Sequence, residues 1–353
     1  MSRVVGTAIC AALCGLLVAL ARHCPAGIFR LYTRLSRHMM ALIGRATAWI
    51  PFSLTEALIV LAILVFVYTL IRVLRKKASF LQWLLGICQT AAVLVLLYVA
   101  VWGLNYFSPV TLAEEVGLSV REYSTEELRS AAAYYLTMAN ALSEEVPRLS
   151  DGTLDAGDFE ELAVLSGEGY AVLAEEYDCF GESTNLPKAV MCSELMSRCG
   201  LTGIFCCLTG EANLNTQTTA ASLPFTMAHE RAHGQAICPE DECNFAAYLA
   251  CEASDSAVMR YSGYYSAFVY CYNALYRVSK SGASELWKGM SDGLRADILA
   301  GNAHYAAYEG KTREVAEKVN DTYLKTFQQT SGVQSYGEVA DLLIADYLVS
   351  AAG

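Results

Sequence analysis

The chain has 353 residues, 54% of them hydrophobic, with a mean hydropathy of +0.32 and a formal net charge of −11. This balance is too apolar for an ordinary soluble protein and predicts membrane segments. Charge is split along the chain: residues 1–103 carry ten Lys/Arg against Glu56, a net +9, and the remainder carries −20. So acidic a remainder excludes a nucleic-acid partner, whose electrostatic footprint is basic, while the basic part suits a lipid bilayer with anionic headgroups.

Three apolar runs, at 4–21, 54–73 and 84–104, each approach the roughly 20 residues needed to cross a bilayer. Arg3 and the Ala19-Leu20-Ala21 stretch give the first run some likeness to a cleaved signal peptide. The segment after it still reads as membrane-bound, which favours an uncleaved helix: Leu31, Leu35, Met39 and Leu42 recur at helical spacing opposite Arg30, Arg34 and Arg37, the pattern of a basic helix lying in the interface. The basic residues on the two sides of the spans balance. The Arg75-Lys76-Lys77 turn between two spans tips the reading to a cytoplasmic N-terminus, with everything after the third span outside the cytoplasm. Residues 1–104 are therefore expected to form a multi-pass membrane region, and 105–353 a separate domain.

Residues 105–118 read as a linker with Pro109 at the membrane exit. Ser124 and Glu127 then open a helix as a capping box, with Leu128, Ala132, Tyr135 and Leu136 as its apolar stripe. A polar turn region spans 151–158. Short strands are expected at 190–192, 203–208 and 212–215, and helices resume at Phe225 and over 244–275, 284–299 and 312–328. Thirteen cysteines lack any C-x-x-C pair; most read as small buried apolar residues, with room for one or two disulfides in an exported domain.

The chemistry concentrates in "FTMAHERAHGQA", residues 225–236. His229 and His233 stand four apart with Glu230 beside the first, so on a helix both imidazoles face one way and can share a metal ion. Zn2+ held by such a pair needs a third protein ligand and leaves a position for water, with Glu230 as general base. Glu240, seven residues after His233, Glu242, and Glu252, which stands 18 intervening residues beyond His233 and is followed by Asp255, compete for that place; His304 lacks supporting spacing. Asn244 lies one turn after Glu240, where it can orient a ligand histidine. Residues 211–215 offer a candidate edge strand for main-chain pairing with a peptide, and Tyr261 and Tyr264 are candidate oxyanion donors that packing explains better. Arg231 reads as an exposed spacer and Ala232 as helix packing.

The stretches "GIFCCLTGEANLN", "LPFTMAHERAH", "EDECNFAAYLA", "RYSGYYSA" and "SGVQSYGEVADLL" together resemble a bacterial membrane family known as domain of unknown function 3810 and placed among zinc metallopeptidases. The resemblance extends over most of the chain, including the spans and Pro51-Phe52-Ser53. The family's E-x-E-A-N is matched by Glu240, Glu242 and Asn244, with Cys243 for Ala, which ranks Glu240 first as third ligand. The family pattern has Gly three residues after the second histidine; here that place is Ala236, and Gly234 follows His233 directly, which implies an early helix end. The resemblance thus implies a membrane-anchored α+β protein: three transmembrane helices, then a mainly helical zincin-like metallopeptidase domain with a small sheet. Its expected activity is zinc-dependent hydrolysis of a peptide or protein substrate; the alternative is a non-proteolytic zinc-binding sensor or assembly factor on the same scaffold.

Overall fold

The computed structural model describes residues 2–181, 186–326 and 338–351. Three helices are long and apolar enough to cross a membrane: α1 (Ser2–Arg22), α3 (Leu54–Leu74) and α4 (Phe80–Val101). The last begins and ends earlier than the expected 84–104, because Ser79 caps it by accepting from the Gln82 amide and Trp102 turns the chain out of helical geometry. Helices α1 and α4 run in parallel. Arg3 donates to the Gln82 carbonyl at 2.5 Å near their starts, and Arg22 lies over the Phe107 ring just beyond their ends.

Between them α2 (Ala26–Thr47) takes the place of the predicted interfacial helix. Phe29, Ser36, Met40 and Gly44 face inward, whereas Leu31, Leu35 and Leu42 point out, as their spacing required. Its inner face lies against the rest of the chain at backbone distance: Gly210, at φ +63, leaves no room for a Cβ against the Gly44 backbone.

The expected linker is instead built into the core. Gly103–Phe107 forms a buried 3-10 turn, followed by α5 (Leu112–Glu115), which a Thr111–Glu114 capping box starts. The Ser124–Glu127 capping box opens α6 (Thr125–Ser143), and Asp158 caps α7 (Phe159–Glu176). After β1 (Lys188–Ala189), α8 (Ser193–Arg198), β2 (Gly203–Cys206) and β3 (Glu211–Leu214) come α9 (Leu223–Gly234), α10 (Glu240–Glu252), α11 (Ala257–Val278), α12 (Lys280–Lys288), α13 (Asp292–Ala307), α14 (Lys311–Thr326) and α15 (Val339–Ser350). The predicted helix 244–275 is thus two, broken where Ser254 and Ser256 turn the chain and Ser256 caps α11. That at 284–299 is also two, with Ser291 capping the second. The last two residues of the predicted 312–328 helix lie outside the described residues.

The sheet has order β1-β3-β2, with β1 parallel and β2 antiparallel to β3. This overturns two strand expectations. The first strand lies at 188–189 rather than 190–192, and residues 211–215 hold the centre of the sheet, so the edges belong to β1 and β2. The sheet also carries the end of a span: the Glu211 carboxylate accepts from the Leu54 and Thr55 amides at 3.1 and 2.8 Å, from the Thr55 hydroxyl, and from Lys188 Nζ at 2.6 Å. Burial alone would raise its pKa, but Lys188 and the Thr55 and Leu54 donors hold it below the ordinary value.

The core is unusually rich in tyrosine, with Tyr135, Tyr248 and Tyr264 packed edge-to-face where α6, α10 and α11 meet. Tyr264 donates to Glu252 at 2.6 Å and Tyr261 to Asp297, so both are structural. All thirteen cysteines are free thiols, so the expected disulfides are absent.

Asp346 on α15 sits in this tyrosine core, where burial and the nearby Glu252 charge push its pKa from 3.8 up to about 7. The folded chain therefore holds a proton there that the unfolded chain releases near 3.8, so folded stability falls as pH rises from about 4 to about 7. Asp346→Asn is expected to make that decline shallower and to raise the melting temperature at about pH 8 relative to the wild type. Thermal unfolding of the detergent-solubilised protein at the two ends of the window checks it.

Candidate metal centre

Helix α9 carries the HERAH segment, and its neighbours fix it on several sides. Pro224 lies in its first turn, where a missing N–H costs nothing. The Phe225 amide donates to Ser262 Oγ on α11 at 3.0 Å. From α7, Tyr170 donates to the Ala228 carbonyl at 2.7 Å. Arg231 is buried at 2% exposure, donating to Ser166 Oγ at 2.9 Å and to the Ala163 carbonyl at 2.5 Å. This corrects its reading as an exposed spacer: the guanidinium ties α9 to α7, and burial lowers its pKa to about 10. Ala232 is fully buried, as expected.

The helix closes in a Schellman arrangement, with the Ile237 amide on the Ala232 carbonyl at 3.3 Å and the Ala236 amide on the His233 carbonyl at 3.1 Å. Gly234 is its last residue, and Ala236 adopts φ +66, the left-handed geometry normally given to glycine. Alanine thus takes up glycine conformation at the position where the resemblance led one to expect Gly. The His233 carbonyl also accepts from the Trp102 indole at 2.9 Å, and the two rings meet edge-on. Trp102 was read as part of the third span. No local signal links two residues 131 apart in sequence, so only the fold places it here.

His229, His233 and Glu240 converge, with ligand-type atoms all within 4.8 Å of one another, and among the described residues they are the group placed to hold a metal ion. Nε2 of His229 is 3.2 Å from Glu240 Oε2, and Nε2 of His233 is 3.7 Å from Glu240 Oε1. The distal nitrogens decide the tautomers. His233 Nδ1 lies 3.1 Å from the Ile237 carbonyl, which can only accept, so Nδ1 carries the proton and Nε2 the lone pair. His229 Nδ1 likewise meets Asn244 Oδ1 at 2.9 Å. In the neutral rings both Nε2 lone pairs then face the Glu240 carboxylate, a donor set that fits a cation.

Electrostatics agree at His233, whereas at His229 they favour a proton that a bound cation would displace. Burial lowers the His233 pKa to about 4, so the ring stays neutral. Burial also works against a charged His229, but the Glu240 hydrogen bond and charge outweigh it and raise that pKa. Glu240 itself is held below its ordinary value, because His229 and His233 overcome its burial.

Glu230 is 4% exposed, and its Oε2 has no hydrogen-bond partner among the described residues. Burial pushes its pKa up to about 8. It lies against the free edge of β2: a Cβ on Gly203 would overlap the Glu230 carboxylate, so that close approach requires glycine. The Asn215 amide bonds the Thr202 carbonyl at 2.9 Å, which by strand alternation turns the backbone groups of Gly203 and Phe205 away from β3 toward this edge.

The rival ligands are elsewhere. Glu242 accepts from the Leu112 amide at 3.0 Å, and Glu252 is engaged by Tyr264. Asp255 is exposed in the turn before α11, and His304 lies beside Tyr305 and Tyr308 on α13. Cys243, the substitution within the motif, places its Sγ 3.2 Å from His233 Nδ1 and donates to the same Ile237 carbonyl.

A family described as a protein of unknown function (DUF3810) matches residues 32–344. The chain belongs to this family. No curated protein and no solved structure matches it. The family match begins within α2 and ends within α15, so helices α3 and α4 and the His/Glu centre fall inside one family unit.

Removing a ligand should cost metal, whereas removing a bystander should not. After dialysis against a mild chelator, Glu240→Ala is expected to come out metal-free, with Glu242→Ala and Glu252→Ala retaining zinc. Asn244→Ala should fall between, about 10 to 100-fold weaker, since it orients a ligand without binding. Metal analysis alongside helix content checks the series.

Proposed function

We propose that this chain is a membrane-anchored, zinc-dependent peptidase of zincin type, with His229, His233 and Glu240 as ligands and Glu230 as general base. The observation that carries the reading is the pairing of two lone-pair Nε2 atoms and a carboxylate with an unsatisfied Glu230 oxygen beside a strand edge. Zinc bound at these atoms supplies Lewis acidity, bringing the pKa of a water toward about 7 and polarising a peptide carbonyl.

The remaining steps belong to the protein. The outward main-chain groups of Gly203, next to the Phe205 amide that bonds Glu230, pair with an extended peptide and lay its scissile bond alongside α9. Glu230 takes the proton from the attacking water and passes it to the leaving amine. Its dry surroundings raise its proton affinity above that of an exposed carboxylate, which strengthens it as the proton acceptor. Asn244 and the Ile237 carbonyl keep both imidazoles turned so that their lone pairs face Glu240.

A second reading, a zinc-binding sensor or assembly factor without turnover, draws support from the burial of Glu230 and His233 at 4% and 7% exposure. Glu230→Gln separates the two. The variant is expected to keep zinc and fold while losing most hydrolysis of a peptide library; activity equal to wild type would sink the peptidase mechanism.

We also place the body beyond α4 outside the cytoplasm of a bacterial cell. The Arg75-Lys76-Lys77 turn joins α3 to α4 on the side opposite to it, which the positive-inside rule makes cytoplasmic. Protease added to spheroplasts is expected to digest residues 105–353 and to spare that turn; protection of the body would invert the orientation.

A further inference from the structure

The metal helix and the sheet that flank the centre are each fastened to helix ends that emerge from the apolar spans. On one side Trp102, the residue after α4, donates its indole N–H to the carbonyl of His233. On the other the first amides of α3, at Leu54 and Thr55, are capped by Glu211 on the strand paired with β2. Since α1 and α4 run in parallel and α3 runs back between α2 and the Lys76 turn, these ends lie at one level. The His/Glu centre is a single side chain away from it.

An apolar collar surrounds that level. Helix α2 lies across the end of α4, with Tyr32 donating to the Ala100 carbonyl at 3.2 Å and Ser36 to that of Val101 at 2.7 Å. Its far end is tied to the sheet turn by Thr47, which donates to the Thr209 carbonyl at 2.9 Å. Ile28, Leu31, Leu35 and Leu42 form its outward stripe, each more than half exposed, and Trp49 follows at 80%. The body adds Met191 at 87%, in a loop whose Met191 and Cys192 amides donate to Glu56 in the first turn of α3.

Exposed apolar surface on this scale needs an occupant. Its continuity with three helices long and apolar enough to cross a membrane points to the bilayer interface. The catalytic body is then seated in the membrane surface, with no stalk to hold it above.

We infer that the substrate is membrane-anchored polypeptide cut in the segment directly flanking its own span. The inference rests on the peptidase reading and names its substrate class. A chain tethered in the same bilayer meets the centre at high effective concentration, and that advantage fades as a flexible spacer lengthens. A short extended segment beside a span, rising about 3.3 Å per residue, stays at the level where the edge of β2 can pair with it.

The test uses the full-length, zinc-loaded protein in liposomes containing anionic lipid, with Glu230→Gln as the blank. A randomised ten-residue library is offered in three forms: fused directly to a single-span helix, fused through a flexible Gly/Ser spacer of about 30 residues, and as free peptides. Mass spectrometry maps and times the cuts. Direct fusions are expected to be cut at least about ten-fold faster than either other form. Equal rates for all three, or faster cutting of free peptides, would overturn the substrate class while leaving the peptidase reading in place. No cutting of any form with zinc bound would remove both.

Discussion

The arrangement depends on where two protons sit. A histidine pair four residues apart on a helix is only a candidate metal clamp; it becomes a donor set when each ring is locked in the tautomer that turns a lone pair inward. Here the locks are the Ile237 carbonyl on His233 and the Asn244 side chain on His229. The first exists because α9 ends in a Schellman turn that returns the chain past His233, with Ala236 in left-handed geometry. The second exists because α10 starts so soon afterward that its second turn lies beside α9. The end of one helix and the start of the next therefore build the centre between them.

That pair of helices is not free to adjust. Ser262, Tyr170, Arg231 and Trp102 hold α9 from α11, α7 and the end of α4. Each neutral bond contributes about 1 kcal/mol net, but leaving a buried partner unsatisfied costs about 1–3 kcal/mol. The ties to the membrane region at Trp102 and at Glu211 are of the second kind. Glu211 is 2% exposed and is tolerable there only because Lys188 and the open amides of α3 surround it. A buried carboxylate stripped of its partners would cost several kcal/mol. The spans and the body are for this reason one structure rather than an anchor and a cargo, and the family match covering α3, α4 and the centre together follows the same boundary.

What the sequence revealed, and what it hid, divides by range. His229, Glu230, His233 and Asn244 were legible because helical geometry converts short spacings into shared faces. The Ser124 capping box and the outward stripe of α2 were legible for the same reason. Arg231 was misread because nothing within its own helix records that Ser166 and Ala163 will cover it. Residues 211–215 were placed at an edge although β1 and β2 flank them, since strand order is set by pairings that short-range patterns do not encode. Trp102 carried no signal at all: apolarity assigned it to a span, and its partner lies beyond the sheet.

The choice between Glu240 and Glu242, two of the three rival acids, shows why the candidate third ligand was ambiguous in sequence and what separates them in the fold. Glu240, Asp241 and Glu242 occupy the first turn of α10, where acidic side chains are favoured by the helix dipole whatever else they do. Local stability thus accounts for the run without reference to metal, and composition cannot separate its members. Rotation does: two residues apart on a helix is about 200°, so Glu240 and Glu242 leave the axis on nearly opposite sides. Glu240 turns to the histidines, and Glu242 turns to the Leu112 amide, helping to seat α5. Asn244 is about 40° from Glu240 around the axis and one turn along, which puts it behind the ring that Glu240 faces. One helix face therefore supplies both the candidate third ligand and the group that orients a candidate ligand histidine. A carboxylate at 242 could not share that face without also giving up its bond to α5.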